Sequence, residues 1–306
     1  MNRILKRLKS AARQGKRAFD RPRPRPPGAV RLRFTGGCDL AEFQARCSEH
    51  EFWYHSFYFD NGFVQRGDYD IGRDIADYCF PTDMTGMSVL DVGTGSGWFA
   101  TYFEQRGADV TTTDVRGYCD FDVFGRDVNP PLESEKTAPD RIMPDGREVY
   151  YSPVSKGFWV MKDLLGLNAE YVNARVYDLC PALFGGRKFD LVFVGSVLMH
   201  LRDPIGALMA IHSVCGHQLI ATSLILREFP WSGGNPRMQL QKGAGDGISW
   251  WTPNRECLAE WAKAAGFQDV DVSRSVFITS DTPYADEGGR SSGVTQSQAL
   301  LSAFTQ

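Results

Sequence analysis

A glycine-rich loop between two strand-like runs constrains the fold of this chain more than any other feature. The apolar run Ser88–Val92 is followed by three glycines, at positions 93, 95 and 97. A helix-like segment then leads to a second β-rich run, Ala108–Thr113, which stops at Asp114. Glycine has no Cβ atom, so a ligand can approach the backbone of such a loop, where the following helix offers unpaired N–H groups. The pattern predicts half of a nucleotide-binding α/β sheet.

The spacing of the glycines narrows the type of ligand. A dinucleotide fingerprint, G-x-G-x-x-G, needs its third glycine at position 98, but that residue is Trp98 and the glycine comes one position earlier. The loop is therefore G-x-G-x-G. With Asp91 inside the strand and Asp114 at the end of the next, LDVGTGSG resembles the first motif of class I S-adenosylmethionine-dependent methyltransferases. A glycine-rich turn that serves only packing is the alternative.

The resemblance implies a fold, a cofactor and an enzyme class. The fold is a Rossmann-like α/β fold with a mostly parallel seven-stranded sheet, helices on both faces, an N-terminal extension and insertions. The implied activity is that of an S-adenosylmethionine-dependent methyltransferase. In this family pattern the glycines admit the methionine and ribose parts of the cofactor, Asp91 orients its amino end, Asp114 takes the ribose hydroxyls and Asp178 the adenine. The expected cofactor-binding residues are Asp91, Gly93, Thr94, Gly95, Gly97, Asp114, Asp178 and Ser196.

Three further segments make the resemblance more particular. WYHSFYFDNGFVQRGDYD precedes the first strand, GSVLMHLRDPIGAL begins at the end of the fourth predicted strand, Phe189–Leu198, and WWTPNRECLAEWAKAAGF comes later. Together they resemble the bacterial tRNA wobble-uridine carboxymethyltransferase-like family over roughly Glu51–Ile278. A long insertion at Arg116–Ser152 and a basic amphipathic N-terminus depart from that family. The methyl acceptor, and whether a carboxylated cofactor is used, stay open.

The domain organisation follows from changes in composition along the chain. Residues 1–27 form a basic arm with a Pro/Arg linker, and residues 28–82 an aromatic-rich N-terminal cap. The methyltransferase domain is expected at 83–280, interrupted at about 116–152 by an insertion with a hairpin near Gly146. The patterns also predict a helix from about Tyr69, strands at Tyr171–Tyr177 and Asp269–Ile278, a helix that Asp203 caps with Pro204 at its first position, and a helix that begins at Thr252-Pro253. Residues 281–306 are polar and glycine-rich, which predicts a flexible tail. The cap aromatics either wall a substrate pocket or only pack the extension onto the sheet.

Two histidines are the candidates for a catalytic base. A hydroxyl acceptor requires loss of a proton, and imidazole titrates near neutrality. His200 comes just after the fourth predicted strand, and His55 lies in the aromatic segment. For both, the alternative is a histidine that hydrogen-bonds to loop backbone.

The distribution of charge and the spacing of the cysteines indicate which binding partners and which cellular compartment to expect. The formal net charge is −3, but residues 1–26 hold ten basic side chains and one acidic, leaving 24 basic and 36 acidic beyond. The seven cysteines are scattered without a C-x-x-C pair, which favours reduced thiols in the cytoplasm and argues against a bound structural metal. The start carries charges throughout and is not a secretory signal. Residues 1–20 could contact an anionic membrane surface or RNA phosphates, or form a solvated arm.

Three functions remain open at this point. The first is methyl transfer to an O or N atom of a small molecule or glycan. The second is tRNA modification with the basic arm on phosphates, and the third is a non-catalytic cofactor-binding protein. The acidic balance of the body ranks the second below the first, and the intact glycine and acidic motifs argue against the third. The oligomeric state is not predicted.

Overall fold

The structure is a computed structural model that describes residues 29–117, 120–122, 138–152, 154–226, 234–241, 249–280, 284–285, 291–292 and 295–305. The expectations for the basic arm, including contact with membrane or RNA through residues 1–20, lie outside these residues. So does much of the insertion predicted at 116–152. In the described part, no helix combines the length and apolar character needed to cross a membrane.

Five α-helices occur in the described residues, and all are short. They are α1 Leu40–Ser48, α2 Trp98–Glu104, α3 Lys156–Leu165, α4 Pro204–Val214 and α5 Arg255–Ala264. The strands are β1 Phe57–Tyr58, β2 Val64–Gln65, β3 Ser88–Val92, β4 Asp109–Asp114, β5 Arg141–Ile142, β6 Glu148–Val149, β7 Glu170–Asn173, β8 Phe189–Gly195, β9 Cys215–Leu224, β10 Met238–Leu240, β11 Trp251–Pro253, β12 Gln268–Asp271, β13 Ser275–Thr279, β14 Tyr284–Ala285, β15 Ser291–Ser292 and β16 Thr295–Phe304.

One mixed sheet organises these elements. Its strand order is β12-β16-β9-β8-β3-β4-β7, and β13 also pairs with β16. The pairs from β7 through β4, β3 and β8 to β9 are parallel, whereas β16 is antiparallel to each of its neighbours. The predicted mostly parallel α/β fold is confirmed. The sheet has eight strands rather than the expected seven: the final strand predicted at Asp269–Ile278 is two strands, β12 and β13, and β16 comes from the predicted tail.

Strand β16 corrects the expectation of a flexible tail at 281–306. Residues 295–304 are an inner strand of the sheet, with Leu300 opposite Thr222 and Leu301 opposite Ala221 on β9. Ala299, Leu301 and Ala303 are fully buried. The segment is rich in Gln, Ser and Ala, which have little β preference of their own, so only the tertiary pairing with β9, β12 and β13 makes it a strand.

Helices cover both faces of the sheet. On one face, Phe99 and Phe103 of α2 and Phe158 of α3 pack in a cluster that also holds Phe57 and Phe59 of the N-terminal segment. On the other face, α4 and α5 pack against residues of β3, β8 and β9. The aromatic segment is therefore part of the main core, and its non-regular backbone includes two 3₁₀ turns, Ile71–Arg73 and Ile75–Tyr78, where a helix was expected.

Local capping signals placed several elements correctly. Asp203 caps α4 by accepting the Gly206 N–H at 2.8 Å, with Pro204 at the first helical position as predicted. The hairpin near Gly146 is present as β5 and β6. Two boundaries were wrong: α5 begins after Asn254, and β7 ends at Asn173 rather than at Tyr177.

Candidate functional site

The glycine loop joins β3 to α2 with three left-handed residues. The φ angles of Gly93, Gly95 and Gly97 are 76°, 53° and 83°, a region that disfavours side chains. A Cβ atom on Gly93 would lie 2.7 Å from Val197 Cγ2, and one on Gly97 would lie 2.7 Å from Phe158 Cδ2. The loop is tied to β4 because the Gly93 N–H donates to the Thr113 carbonyl at 2.8 Å. Backbone conformation and close packing therefore both require glycine at 93 and 97.

Asp114 stands at the end of β4 and holds the loop through its carboxylate. Oδ2 accepts the Gly95 N–H at 3.2 Å, and Oδ1 accepts the Val115 N–H at 2.8 Å and the Ser152 hydroxyl at 3.5 Å. The side chain is buried, and this burial raises the pKa of Asp114 to about 6. The register predicted from sequence thus places an acidic group directly beside the loop, at the carboxyl edge of the sheet.

Asp91 lies beneath the same loop, within β3. It is buried, and burial, followed by the nearby charge of Asp114, raises its pKa to about 7. Asp91 Oδ2 and the Thr94 hydroxyl are both buried; the nearby Thr94 hydroxyl partly offsets the rise in the pKa of Asp91, but neither atom makes a hydrogen bond of normal geometry in the part of the chain that the structure describes. Most buried polar atoms in native proteins are hydrogen-bonded, so two unpaired ones beneath the loop call for an explanation. These groups fit a ligand with a polar, partly cationic end, such as the amino-acid portion of S-adenosylmethionine.

Ser196 and His200 follow β8, the strand next to β3. Ser196 has a φ of 58° and is fixed by three contacts: its N–H reaches the Thr222 carbonyl and hydroxyl, and its Oγ donates to Gln298 Oε1 at 2.9 Å. A left-handed non-glycine residue held this firmly is typical of functional segments. His200 is half-buried in the next turn, where its N–H donates to the Val197 carbonyl at 2.8 Å. Because Val197 touches Gly93, this turn adjoins the glycine loop.

His55, in the aromatic segment before β3, lies against the glycine loop. A Cβ atom built on Gly95 would be 3.4 Å from His55 Cε1 and 3.7 Å from the Tyr54 ring. The backbone N–H of Tyr54 donates to Ser96 Oγ at 2.9 Å. His55 is buried, which lowers its pKa to about 3. The structure therefore brings His55 to the predicted cofactor loop, although 40 residues separate it from Gly95 in sequence.

Asp178 was also predicted to bind the cofactor, but no contact between it and the glycine loop is seen in the described residues. It ends a 3₁₀ turn, Val176–Asp178, that follows β7 at the carboxyl edge of the sheet, and its side chain is exposed. The carboxyl edge is where parallel α/β sheets bind nucleotides. A role for Asp178 with adenine stays a prediction.

Asp122 was missed by sequence reasoning and connects three segments at the carboxyl edge. Its Oδ2 accepts the Arg202 N–H at 2.7 Å and the Tyr177 hydroxyl, and its Oδ1 lies 3.6 Å from Arg175 Nη2. The Trp250 indole N–H donates to the Asp122 carbonyl at 2.8 Å. These contacts join the insertion after β4, the turn after β7, and the segments before α4 and α5. The sequence marks Asp122 only as one acidic residue among turn residues, because its partners are distant along the chain.

The sheet order, the glycine loop and the acidic residue at the end of β4 define a class I, Rossmann-like methyltransferase. A family model described as a methyltransferase domain matches residues 64–272, which is more than half of the chain. The protein belongs to this family of S-adenosylmethionine-dependent methyltransferases.

Relatives and solved structures agree with this class. A tRNA U34 carboxymethyltransferase of Pseudomonas syringae pv. tomato is 28% identical over 198 residues, which are 63% of this chain and 50% of that protein. The protein of the same name from Idiomarina loihiensis is 24% identical over 220 residues, or 70% and 54% of the two chains. The chain thus spans about half the length of the curated relatives it matches. These matches confirm the resemblance that the sequence indicated.

A likeness in fold extends over more of the chain. The crystal structure of the N-terminal domain of EvdMO1 with SAH bound superposes with a TM-score of 0.54. It covers 88% of this chain and 98% of that domain at 17% identity. At that identity the likeness concerns the fold alone.

Proposed function

We propose that the protein transfers a methyl group from S-adenosylmethionine to an O or N atom of a small molecule or glycan. The observation that carries this proposal is the Asp114 carboxylate, fixed at the end of β4 by the Gly95 N–H at 3.2 Å. In nucleotide-binding α/β sheets an acidic residue at this point takes the ribose hydroxyls. The left-handed glycines beside it make the tight turn that brings the loop to this edge of the sheet.

The residues around the loop have distinct tasks in this function. The bound cofactor supplies an electrophilic methyl group, so the protein has to position the acceptor and exclude water. Asp114 holds the ribose, Asp91 and Thr94 bind the amino-acid end, and Asp178 takes the adenine. Ser196 fixes the turn that carries His200 beside the loop.

His200 is the proposed base when the acceptor is a hydroxyl. It is half-buried, and its backbone is fixed by the Val197 carbonyl. A base in this place can accept the acceptor's proton as the new bond forms. His200→Gln should lower kcat for a hydroxyl acceptor by about 10²–10⁴-fold with little change in cofactor affinity. For an amine acceptor the loss should be much smaller.

Cofactor binding is the first test. Calorimetry should detect binding of S-adenosylhomocysteine, and Asp114→Ala should weaken it by at least about tenfold, because a charged hydrogen-bond acceptor is lost. Asp109→Ala is a matched control: Asp109 lies at the other end of β4 and is exposed, so the affinity should stay unchanged. No binding to the wild type, or equal binding by both variants, contradicts the proposal.

The acceptor is found by transfer of a labelled methyl group. Purified protein and methyl-labelled S-adenosylmethionine are incubated with cell extract, which is then separated into RNA, lipid, glycan and small-molecule fractions. Label in the small-molecule or glycan fraction that disappears with Asp114→Ala is the expected result. Label confined to RNA contradicts the assignment of the acceptor class but not the methyl transfer.

Modification of tRNA is the second candidate, and the names of the relatives favour it. Residues beyond 26 carry 24 basic and 36 acidic side chains, a balance that does not favour phosphate binding by the body. Deletion of residues 1–26 separates the candidates. Salt-sensitive tRNA binding that survives this deletion supports RNA as the acceptor, and its loss leaves the small-molecule proposal in place.

A further inference from the structure

His55 occupies a fixed position against the glycine loop. Its backbone is held by Gly67, whose N–H donates to the Ser56 hydroxyl at 2.8 Å and whose own Cβ position would lie 2.5 Å from the His55 carbonyl. Any side chain at 67 would therefore displace His55. The Tyr54 N–H to Ser96 Oγ contact adds a direct tie to the loop. The imidazole is thus built into the site by both neighbouring segments.

The imidazole and Asp114 both reach Gly95 of the loop: the Asp114 carboxylate accepts the Gly95 N–H at 3.2 Å, and a Cβ atom on Gly95 would lie 3.4 Å from His55 Cε1. His55 packs edge-to-face on Phe99 with a centroid distance of 5.9 Å, and Phe99 packs on Phe193 of β8 at 4.4 Å. Asp114 belongs to β4, and β4 and β8 flank β3 on its two edges. The imidazole is therefore in contact with the residue whose N–H the Asp114 carboxylate holds.

Three polar atoms around this end of the loop are buried and have no partner in the described ranges. They are His55 Nδ1, Asp91 Oδ2 and the Thr94 hydroxyl. Burying a polar group without a hydrogen bond destabilises a fold by about 1–3 kcal/mol, and a ligand that pairs with these atoms would recover that free energy. One acidic, one hydroxyl and one imidazole group together match a ligand end that carries both an ammonium and a carboxylate.

We infer that His55 is a binding residue for the amino-acid end of the cofactor, donating a hydrogen bond from Nδ1 to its carboxylate while Asp91 accepts from its ammonium group. This inference rests on the proposed function, since it concerns the same cofactor. It changes the role of His55 from the catalytic base expected from sequence to a residue that holds the cofactor.

The environment of His55 supports a neutral donor rather than a base. Its ring contacts Gly95, Tyr54 and Phe99, none of which carries a charge at neutral pH. Burial lowers its pKa to about 3. A group this weakly basic is poorly matched to proton abstraction near neutral pH, whereas a neutral imidazole still offers one N–H.

The test compares three ligands that differ only at the amino-acid end. Calorimetry would measure S-adenosylhomocysteine, its decarboxylated analogue and 5′-methylthioadenosine, which lacks the whole amino-acid portion. His55→Phe should weaken S-adenosylhomocysteine about tenfold or more and leave the other two within about twofold. His55→Asn, which keeps an N–H donor, should lose less.

His50 provides a matched control in the same segment. It too is a buried histidine, one ring nitrogen has no hydrogen-bond partner among the described residues, and burial lowers its pKa to about 4. Its ring packs on Trp53 at 5.4 Å rather than on the glycine loop. His50→Phe should leave the affinity for all three ligands unchanged.

Each outcome separates this inference from the proposed function. If wild type fails to bind S-adenosylhomocysteine, the proposed function fails. If wild type binds and His55→Phe binds equally well, or loses all three ligands equally, the role of His55 is refuted. If neither variant folds, ¹⁵N-histidine spectra of the wild type decide, because the His55 signals should shift with S-adenosylhomocysteine and stay in place with the decarboxylated analogue. The absence of that difference overturns the inference.

Discussion

Asp91→Asn should stabilise the protein at alkaline pH while it weakens cofactor binding. The carboxyl of Asp91 is buried, and its pKa is raised from the usual 3.8 to about 7. Between these values the folded state keeps a proton that the unfolded state has released. The free energy of unfolding therefore falls as the pH rises from about 3.8 to about 7, and is constant above that range.

The size of this effect follows from the shift. By linkage, ionisation of Asp91 destabilises the folded state by about 2 kcal/mol at about pH 5 and about 4 kcal/mol at about pH 8, both upper limits. Asparagine has nearly the same shape and no charge, so the variant avoids this penalty. We expect it to be more stable than wild type by a margin that grows between these two conditions.

Urea titration followed by circular dichroism at the two pH values measures the difference. Asp109→Asn, at the exposed end of β4, should change stability by less than about 1 kcal/mol and by the same amount at both pH values, because its ion pair with Arg187 is exposed to solvent. Calorimetry with S-adenosylhomocysteine should show weaker binding for Asp91→Asn only. If the variant is as stable as wild type or less stable at about pH 8, the buried carboxylate of Asp91 does not destabilise the folded state and the reasoning is refuted.

Three further predictions concern the frame of the site. Gly97→Ala should lower the free energy of unfolding by about 2–4 kcal/mol in urea titration, because its Cβ meets a ring at 2.7 Å; Gly146→Ala, with a similar φ and open space, should lose only about 1 kcal/mol. Asp122→Ala should lower the free energy of unfolding by about 2–4 kcal/mol, because it leaves the Arg202 N–H without an acceptor. An unchanged urea midpoint would contradict the connecting role of Asp122. Deletion of 295–306 should abolish cooperative thermal unfolding, and a sharp transition in the truncated chain would refute the placement of β16.

The parts of the site that follow from local sequence could be predicted. The glycine spacing gave the loop, and the strand-like runs on either side placed Asp91 and Asp114 beside it. The Asp203-Pro204 pair gave the start of α4 through its capping chemistry. In each case the interacting residues are close in sequence or belong to one repeated β-α-β unit, so their pattern carries the information.

The parts of the fold and of the site that depend on tertiary pairing could not be predicted from the sequence. Strand β16 has a polar, small-residue sequence, and only its three neighbouring strands make it regular. The contacts of Asp122 come from residues 53 to 128 positions away. His55 was recognised as a candidate, but its contact with Gly95 depends on how the whole aromatic segment packs, which neither periodicity nor composition indicates.

Strand β16 lies between β9 and β12 in the sheet but comes much later in sequence, so β9 is synthesised well before its partner strand. The partner of Leu224 on β9 is Gln298, more than 70 residues later. At ~5–20 residues per second, a ribosome needs roughly 4–15 seconds to make the intervening segment. During that interval the edge of β9 that later pairs with β16 is unpaired, and β9 carries side chains such as Leu219 and Ile220 that are buried in the folded protein. The nascent chain is therefore most exposed to aggregation and to capture by chaperones while its cofactor loop has already been made.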